Sequence, residues 1–207
     1  MYYEIMNKTV LISVDLQRDF STGGGTRPYK PHPNVRFVKE TLVPFCQERG
    51  IKIAEIISDY RQPRLGLRDD CCHPGTPGYE SEIVDTLKLL PIWVKSMPAP
   101  IWTRKGIGDA NCQPGIPYQD PEAFGEWLSD VVGKPGETNV VLIGLTLNCC
   151  VLCVAQELTS RGYKVQVLEE GVDTLSGDPE EKQQLLDGPV LYTWATGISW
   201  KELKEVL

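Results

Sequence analysis

The stretch that decides the fold is Val140-Val-Leu-Ile-Gly-Leu-Thr-Leu-Asn-Cys-Cys-Val-Leu-Cys-Val-Ala155. An apolar run stops at Gly144, a short polar turn follows, and cysteines stand where a helix is predicted to begin. The partial positive charge of a helix N-terminus lowers the pKa of a thiol, and its backbone N–H groups can bind a developing oxyanion. The pattern therefore predicts a buried strand followed by a nucleophilic cysteine.

Strands and helices alternate outward from this stretch. The predicted strands are Thr9 to Asp15, Ile51 to Ile57, Ile101 to Thr103, Asn139 to Ile143, Tyr163 to Leu168 and a short Pro189 to Thr193. The predicted helices are Pro33 to Gly50, Glu80 to Leu89, Pro121 to Val132, Cys149 to Arg161, Pro179 to Leu186 and Trp200 to Val206. This alternation predicts a three-layer α/β/α sandwich around a mainly parallel sheet. We expect one domain over residues 1–207.

Composition narrows the classes of partner and location. The chain has 207 residues, 41% of them hydrophobic, and a net charge of -7. An acidic chain without a basic cluster predicts no nucleic-acid partner and no anionic membrane partner. No apolar run reaches the ~18 residues of a membrane span, and the N-terminus lacks the layout of a signal peptide. We therefore expect a cytoplasmic protein.

The cysteines and histidines argue against a structural metal. Seven cysteines without an export signal favour reduced thiols over a disulfide frame. Cys71 and Cys72 stand beside His73, but the spacing of a zinc site is absent. With only two histidines in the chain, His73 is the one plausible partner for a Cys–His arrangement. We predict no metal and no cofactor.

Three reactive side chains are expected at one edge of the sheet, because active residues gather at the carboxyl ends of parallel strands. Asp15 ends the first strand, Lys105 follows the predicted third strand, and Cys150 follows the fourth. Cys150 is the predicted nucleophile, and Asp15 can take its proton and pass it to a leaving amine. The charge of Lys105 would favour the thiolate and keep Asp15 ionised.

Three motifs, in this order, resemble the isochorismatase-like cysteine hydrolase superfamily. They are Val14-Asp-Leu-Gln-Arg-Asp-Phe20, Cys72-His-Pro-Gly-Thr-Pro-Gly78 and Gly144-Leu-Thr-Leu-Asn-Cys-Cys-Val151. The superfamily includes nicotinamidases, N-carbamoylsarcosine amidases and ureidoacrylate amidohydrolases. Its Asp–Lys–Cys triad corresponds to Asp15, Lys105 and Cys150. Lys95 is a rival for the lysine, because Pro91-Ile-Trp-Val-Lys95 echoes Pro100-Ile-Trp-Thr-Arg-Lys105.

The resemblance also implies an oxyanion hole after the fourth strand. A cis peptide between Leu145 and Thr146 would turn the Thr146 N–H toward the site. The backbone N–H groups of Thr146 and Cys150 would then bind the oxyanion. Cys149 and Cys153 are predicted to pack rather than react.

One departure from the family concerns metal and substrate. Nicotinamidases of the superfamily carry an Asp followed two residues later by His, whereas Asp59 is here followed by Tyr60 and Arg61. A metal site of that type, and nicotinamide as substrate, are therefore disfavoured. Arg61 and Arg64 offer guanidinium forks suited to a carboxylate, and the sequence does not decide between them. The predicted substrate-binding residues are Gln17, Phe20, Tyr60 and Arg61, with a pocket shaped by loops 21–32, 59–78 and 106–121.

These observations predict a metal-independent cysteine hydrolase that cleaves a C–N bond of a small amide or ureido substrate through a thioester. One alternative is vinyl-ether hydrolysis of the isochorismate type on the same fold. Another is a non-catalytic interaction protein. The resemblance further implies a homo-oligomer.

Overall fold

A parallel sheet forms the centre of the molecule. The computed structural model describes residues 8–21, 25–26 and 33–207. The strands are β1 Lys8–Val14, β2 Ile53–Ser58, β3 Trp93–Lys95, β4 Trp102–Thr103, β5 Tyr118–Gln119, β6 Thr138–Leu145, β7 Lys164–Asp173 and β8 Thr196–Ile198. Six of them pair in parallel in the order β3-β2-β1-β6-β7-β8, and β4 and β5 form a separate antiparallel pair. The predicted α/β class is confirmed.

Helices cover both faces of this sheet. They are α1 Arg18–Ser21, α2 Pro33–Phe37, α3 Val43–Arg49, α4 Pro121–Trp127, α5 Leu152–Ser160, α6 Pro179–Asp187, α7 Pro189–Tyr192 and α8 Trp200–Leu203. Three π-helical segments continue this set: Val38–Leu42 joins α2 to α3, Leu128–Val132 extends α4, and Leu147–Val151 precedes α5. Short 3₁₀ turns lie at Pro77–Tyr79 and Asp85–Leu87.

Alternation along the central strands builds two cores. In β1, Val10 and Ile12 belong to a core shared with Phe124 and Val151, whereas Leu11 belongs to the opposite core. Successive side chains of a strand point to opposite faces, so a continuous apolar run supplies both layers. This explains why the middle of β1, residues 10–12, and the middle of β6, residues 140–143, are apolar on both faces.

The central pair of strands approaches closely at its carboxyl end. Strand β1 pairs with β6 from Lys8↔Thr138 to Val14↔Gly144. Gly144 has φ 131°, and a Cβ there would stand 1.9 Å from the Val14 carbonyl oxygen. Only glycine can occupy this position beside Asp15, which itself has φ 51°.

Several sequence-predicted elements differ from the structure. The third strand of the main sheet along the chain is β3. Ile101 to Thr103 contributes only to β4, which pairs with β5 outside the main sheet, and residues 104–117 connect the two. Glu80 to Leu89 forms no helix beyond the turn Asp85–Leu87. Pro189 to Thr193 is helix α7 rather than a strand, and β8 follows it. In each case the segment is too short for periodicity alone to separate helix from strand.

Within the part of the chain that the structure describes, no helix is both long enough and apolar enough to cross a membrane.

Candidate active site

A cavity of about 290 Å³ lies at the carboxyl ends of β1 and β6. Its lining combines the predicted reactive groups with apolar walls. The lining residues are Asp15, Phe20, Tyr60, Arg64, Leu67, Asp69, Pro98, Leu145, Thr146, Asn148, Cys149, Cys150 and Leu175. Clefts at this edge are the usual ligand sites of open parallel sheets.

Lys95 is fully buried beneath this cavity and joins the reactive groups. Its Nζ donates to Asp15 Oδ2 at 2.7 Å, to Ser58 Oγ at 2.8 Å and to Tyr60 OH at 2.6 Å. It also lies 3.5 Å from Cys150 Sγ. Burial lowers the pKa of Lys95, but the charge of Asp15 and the hydrogen bond with it, together with the neighbouring Cys150, more than offset this and raise it above its ordinary value. Lys95 therefore remains an ammonium in contact with both the acid and the thiol.

The prediction that Lys105 stands beside Asp15 and Cys150 is wrong. Lys105 is exposed, and it does not line the cavity. The error follows from the strand assignment: Lys95 ends β3, which pairs with β2 inside the main sheet, whereas Lys105 follows β4 outside it. Of the two similar segments, residues 91–95 and 100–105, the first brings its lysine, Lys95, to the carboxyl edge of the sheet.

Asp15 is held by the neighbouring strand β2. Its backbone N–H donates to the Ile56 carbonyl at 2.9 Å, and its Oδ1 accepts from Ser58 Oγ at 2.8 Å. Asp15 is almost fully buried, yet its carboxylate oxygens have charged and neutral donors within hydrogen-bond distance. A buried carboxyl group held in this way next to a thiol is positioned to act as a base.

Cys150 lies in the first turn of the helix that begins at Leu147. Its Sγ is 3.4 Å from Tyr60 OH, and the residue is 8% exposed. A hydrogen bond with Cys149 and burial raise the pKa of the Cys150 thiol well above its ordinary value, and the Lys95 ammonium opposes that shift. The resting group is therefore a thiol, and the nearby Asp15 carboxylate is suited to remove its proton.

The peptide bond between Leu145 and Thr146 is cis, and both residues line the cavity. Thr146 precedes the π-helical segment Leu147–Val151, and its carbonyl accepts from the Cys149 and Val151 N–H groups. N–H groups in the first turn of a helix have no intrahelical acceptor and are available to a ligand. The position of Cys150 in this turn suits a hole for an oxyanion.

Cys149 does not pack as the sequence predicts. It is exposed and lines the same cavity as Cys150. A hydrogen bond with Cys150 and the charge of Lys95 overcome partial burial and lower the pKa of Cys149 to about 7. The site therefore presents two adjacent thiols with different properties, and only Cys150 touches Lys95 and Tyr60.

The four predicted substrate-binding residues have different positions. Phe20 and Tyr60 line the cavity, with ring centroids 6.2 Å apart. Gln17 does not line it: this buried side chain accepts from the Ser58 N–H at 2.7 Å and donates to the Ser58 carbonyl at 2.9 Å. Its function is structural, because it holds the end of β2 against β1.

Arg61 is likewise absent from the cavity lining. Its Nε and Nη2 donate to Asp59 at 2.9 and 2.7 Å, and its Nη1 donates to the Cys112 carbonyl. The buried Arg104 also contacts Asp59, as does the Gly108 N–H at 2.9 Å. We name Asp59, Arg61 and Arg104 the Asp59 cluster. The sequence could not predict this pairing, because it joins loops 59–78 and 106–121.

The Asp59 cluster does not fit a metal ion. Burial would raise the pKa of Asp59, but the hydrogen bonds from Arg61 and Gly108 and the charge of Arg104 lower it below its ordinary value. Two guanidinium groups already neutralise this carboxylate, so a cation there would be repelled. Among the described residues, no group of three or more His, Cys, Asp or Glu side chains could hold a metal ion.

His73, the alternative partner for a Cys–His arrangement, lies outside the site. It contacts Asp70 at 2.8 Å and does not line the Cys150 cavity.

Arg64, the second candidate for binding a carboxylate, does line the cavity. Its guanidinium stacks 3.5 Å from the centroid of the Tyr60 ring and donates to Ser96 O and Asp69 Oδ2.

Ser58 was not predicted as a site residue from the sequence. Its place at a strand end was the one feature that pointed to the site. Of loop 21–32, residues 22–24 and 27–32 lie outside the described part of the chain.

Comparison with known proteins agrees with this fold. Residues 118–187, which include Cys150, match the isochorismatase domain family. No curated protein matches the chain. The structure resembles the pyrazinamidase of Pyrococcus horikoshii in complex with zinc, with 19% identity, 93% of this chain and 99% of that chain covered, and a TM-score of 0.65. It also resembles an isochorismatase-like hydrolase from Alkaliphilus metalliredigens, with 18% identity, 99% of each chain covered and a TM-score of 0.65.

A third similar structure is a nicotinamidase from Staphylococcus aureus, with 16% identity, 93% of this chain and 99% of that chain covered, and a TM-score of 0.55. The domain match and the shared fold confirm the predicted resemblance to the isochorismatase-like hydrolase superfamily.

Proposed function

We propose that this protein is a cysteine-dependent hydrolase that cleaves a C–N bond of a small amide. The observation that carries the proposal is the position of Lys95, whose Nζ lies 2.7 Å from Asp15 Oδ2 and 3.5 Å from Cys150 Sγ. One buried cation thus joins a base and a nucleophile in the same cavity. Such an arrangement has no evident use in a protein that only binds a partner.

The reaction begins with the Cys150 thiol. Asp15 takes the thiol proton while Sγ attacks the carbonyl carbon of the amide, and the carbonyl becomes a tetrahedral oxyanion. The backbone N–H groups of Thr146 and Cys150 bind this oxyanion, and Lys95 offsets the negative charge of the thiolate as it forms. Asp15 then returns the proton to the leaving nitrogen as the C–N bond breaks.

A thioester and a free amine or ammonia result from this first half. Water then attacks the thioester carbonyl and Asp15 takes a proton from it. As the C–S bond breaks, Asp15 returns this proton to Sγ, which releases a carboxylic acid and regenerates the Cys150 thiol. Tyr60 remains a neutral phenol throughout, because burial and the neighbouring Cys150 and Asp15 raise its pKa well above the ordinary value. Its OH thus serves as a fixed hydrogen-bonding group.

The test is ammonia release from a panel of small primary amides by the purified protein. Cys150→Ala should abolish release, whereas Cys153→Ala, a matched change one helical turn away and outside the cavity lining, should retain it. Ammonia release by the Cys150→Ala protein would overturn the mechanism. Vinyl-ether hydrolysis, the alternative chemistry on this fold, requires no covalent adduct on Cys150.

A further inference from the structure

Arg64 has an uncommon environment for a buried arginine. Its side chain is 0% exposed, and three of its contacts are fixed: Asp69 Oδ2 at 2.7 Å, Ser96 O at 2.9 Å and the Tyr60 ring. Its Nη2 is buried and has no hydrogen-bond partner among the described residues. Buried donors are normally satisfied, so this one calls for an explanation.

The location of Arg64 supplies that explanation. Buried side-chain atoms without a partner in the described residues also occur on Ser13, Asn34, Glu55, Arg104 and Asn139. None of these five lines the Cys150 cavity, whereas Arg64 does. The Tyr60 ring on which Arg64 stacks carries the OH that contacts Cys150. The residue that carries the free donor therefore lines the cavity in which the proposed reaction takes place.

The charges around the cavity decide which acceptor suits this donor. Asp15 is paired with Lys95, and Asp69 is paired with Arg64, so each lining carboxylate already has a cation. A substrate carboxylate at Arg64 would add an anion next to Asp69, and the described lining residues include no second Lys or Arg to balance it. A neutral carbonyl would accept the same hydrogen bond without that repulsion.

The remaining walls favour a mainly apolar substrate. Phe20, Leu67, Pro98, Leu145 and Leu175 line the cavity together with these polar groups. We propose, on the basis of the function above, that the Arg64–Asp69 pair selects neutral amides carrying a second carbonyl remote from the scissile amide. Arg64 Nη2 donates to that carbonyl, and Asp69 disfavours a carboxylate of the same shape.

A matched set of probes tests this selection. Benzamides with an isopropyl, acetyl or carboxylate group at ring position 3 or 4 have nearly the same shape but differ in acceptor and charge. For the wild-type protein, kcat/KM should be about tenfold or more higher for the better acetyl isomer than for its carboxylate counterpart. Equal or higher kcat/KM for the carboxylate would overturn the proposal.

Two variants separate the roles of the pair. Arg64→Lys keeps the charge but loses the second guanidinium nitrogen, so the ratio of acetyl to isopropyl kcat/KM should fall about tenfold or more. Asp69→Asn removes the repelling charge, so the ratio of carboxylate to acetyl kcat/KM should rise about tenfold. Arg68→Lys, an exposed neighbour outside the lining, is the control and should change neither ratio. Unchanged ratios in both Arg64→Lys and Asp69→Asn would contradict the proposal.

Calorimetric binding of the same six benzamides to Cys150→Ala protein distinguishes this inference from the proposed reaction. Tighter binding of an acetyl probe, lost when Arg64→Lys is added, supports the role of Arg64 even where the wild-type protein hydrolyses none of the probes. Such a result would count against the amidase mechanism alone. Failure of all six probes to bind would overturn the inference about the Arg64–Asp69 pair.

Discussion

At the scale of single residues, Lys95 is the centre of the proposed site. Its ammonium is 0% exposed and contacts Asp15, Ser58, Tyr60 and Cys150. A buried charge is tolerated when neighbouring groups pair with it, and here those neighbours are the proposed base and nucleophile. The stability of the site and its reactivity thus depend on the same side chain.

Lys95→Met should abolish most activity and destabilise the protein. It leaves Asp15 buried without its cation, which should cost about 3–5 kcal/mol in free energy of unfolding. Turnover should fall by about 10²-fold or more, because the positive charge beside the thiolate is lost. Lys105→Met, at the exposed lysine, is the matched control and should leave both denaturant unfolding and ammonia release unchanged. Comparable losses in the two variants would contradict the assignment of Lys95.

Cys149 should react with alkylating reagents in a pH-dependent way. The pKa of this exposed thiol is lowered to about 7, chiefly by the hydrogen bond with Cys150. Because only the thiolate reacts, its rate of modification by iodoacetamide should rise through a midpoint near pH 7. Peptide mass spectrometry at several pH values measures that rate. A midpoint at the ordinary cysteine pKa would contradict the geometry of the pair.

At the scale of elements, loops and strand ends carry the site. The Asp59 cluster ties the loop after β2 to the loop after β4, since Arg61 and Arg104 contact both. Tyr60 and Arg64 belong to the first of these loops, so the cluster fixes one wall of the cavity. This function replaces the substrate-binding role that the sequence predicted for Arg61.

Asp59→Asn should weaken the fold mainly at neutral pH. The folded-state pKa of Asp59 is depressed, so its stabilisation is complete above the unfolded value of about 3.9 and is lost as the pH falls through the folded value. Removing the buried charge should cost about 3–5 kcal/mol at pH 7 and progressively less in acid. Urea unfolding at pH 7 and below pH 4 measures the difference. A loss that does not shrink with falling pH would contradict this account.

Gly144→Ala should disrupt the pairing of β1 with β6. A Cβ at this position would stand 1.9 Å from the Val14 carbonyl oxygen, in the strand that presents Asp15. Gly136→Ala is the control: its φ is also positive, at 81°, but a Cβ there meets nothing within 4 Å. We expect the control to lose only about 1–2 kcal/mol and Gly144→Ala to lose clearly more in thermal or urea unfolding. Equal losses of stability in the two variants would contradict the claim that the Val14 carbonyl leaves no room for a Cβ at position 144.

The elements also mark where sequence reasoning succeeds. The long buried strands were predictable because β1 and β6 contain continuous apolar runs, residues 10–12 and 140–143, and because β2 and β7 carry several Ile or Val residues. The short elements were not: β3 has three residues and β4 has two, so their partners depend on tertiary packing. Choosing Lys105 over Lys95 followed directly from placing Trp102 in the main sheet.

At the scale of the whole molecule, the sheet brings distant residues together. Asp15, Lys95 and Cys150 come from the ends of β1 and β3 and from the helix after β6. Motif order was enough to predict Asp15 and Cys150, because both directly follow long central strands. The positions of Ser58 and Arg64 and the exposure of Cys149 depend on contacts between loops. Hydrophobic periodicity does not predict such contacts.

The most direct test of the central claim is to find where an amide substrate acylates the protein. Wild-type protein is mixed with a primary amide from which it releases ammonia and is quenched in acid during turnover. It is then digested and mapped by mass spectrometry. We predict an acyl group on Cys150, absent from the Cys150→Ala protein and still present in Cys149→Ala. An adduct on Cys149 instead, or turnover without any adduct on Cys150, would contradict the account.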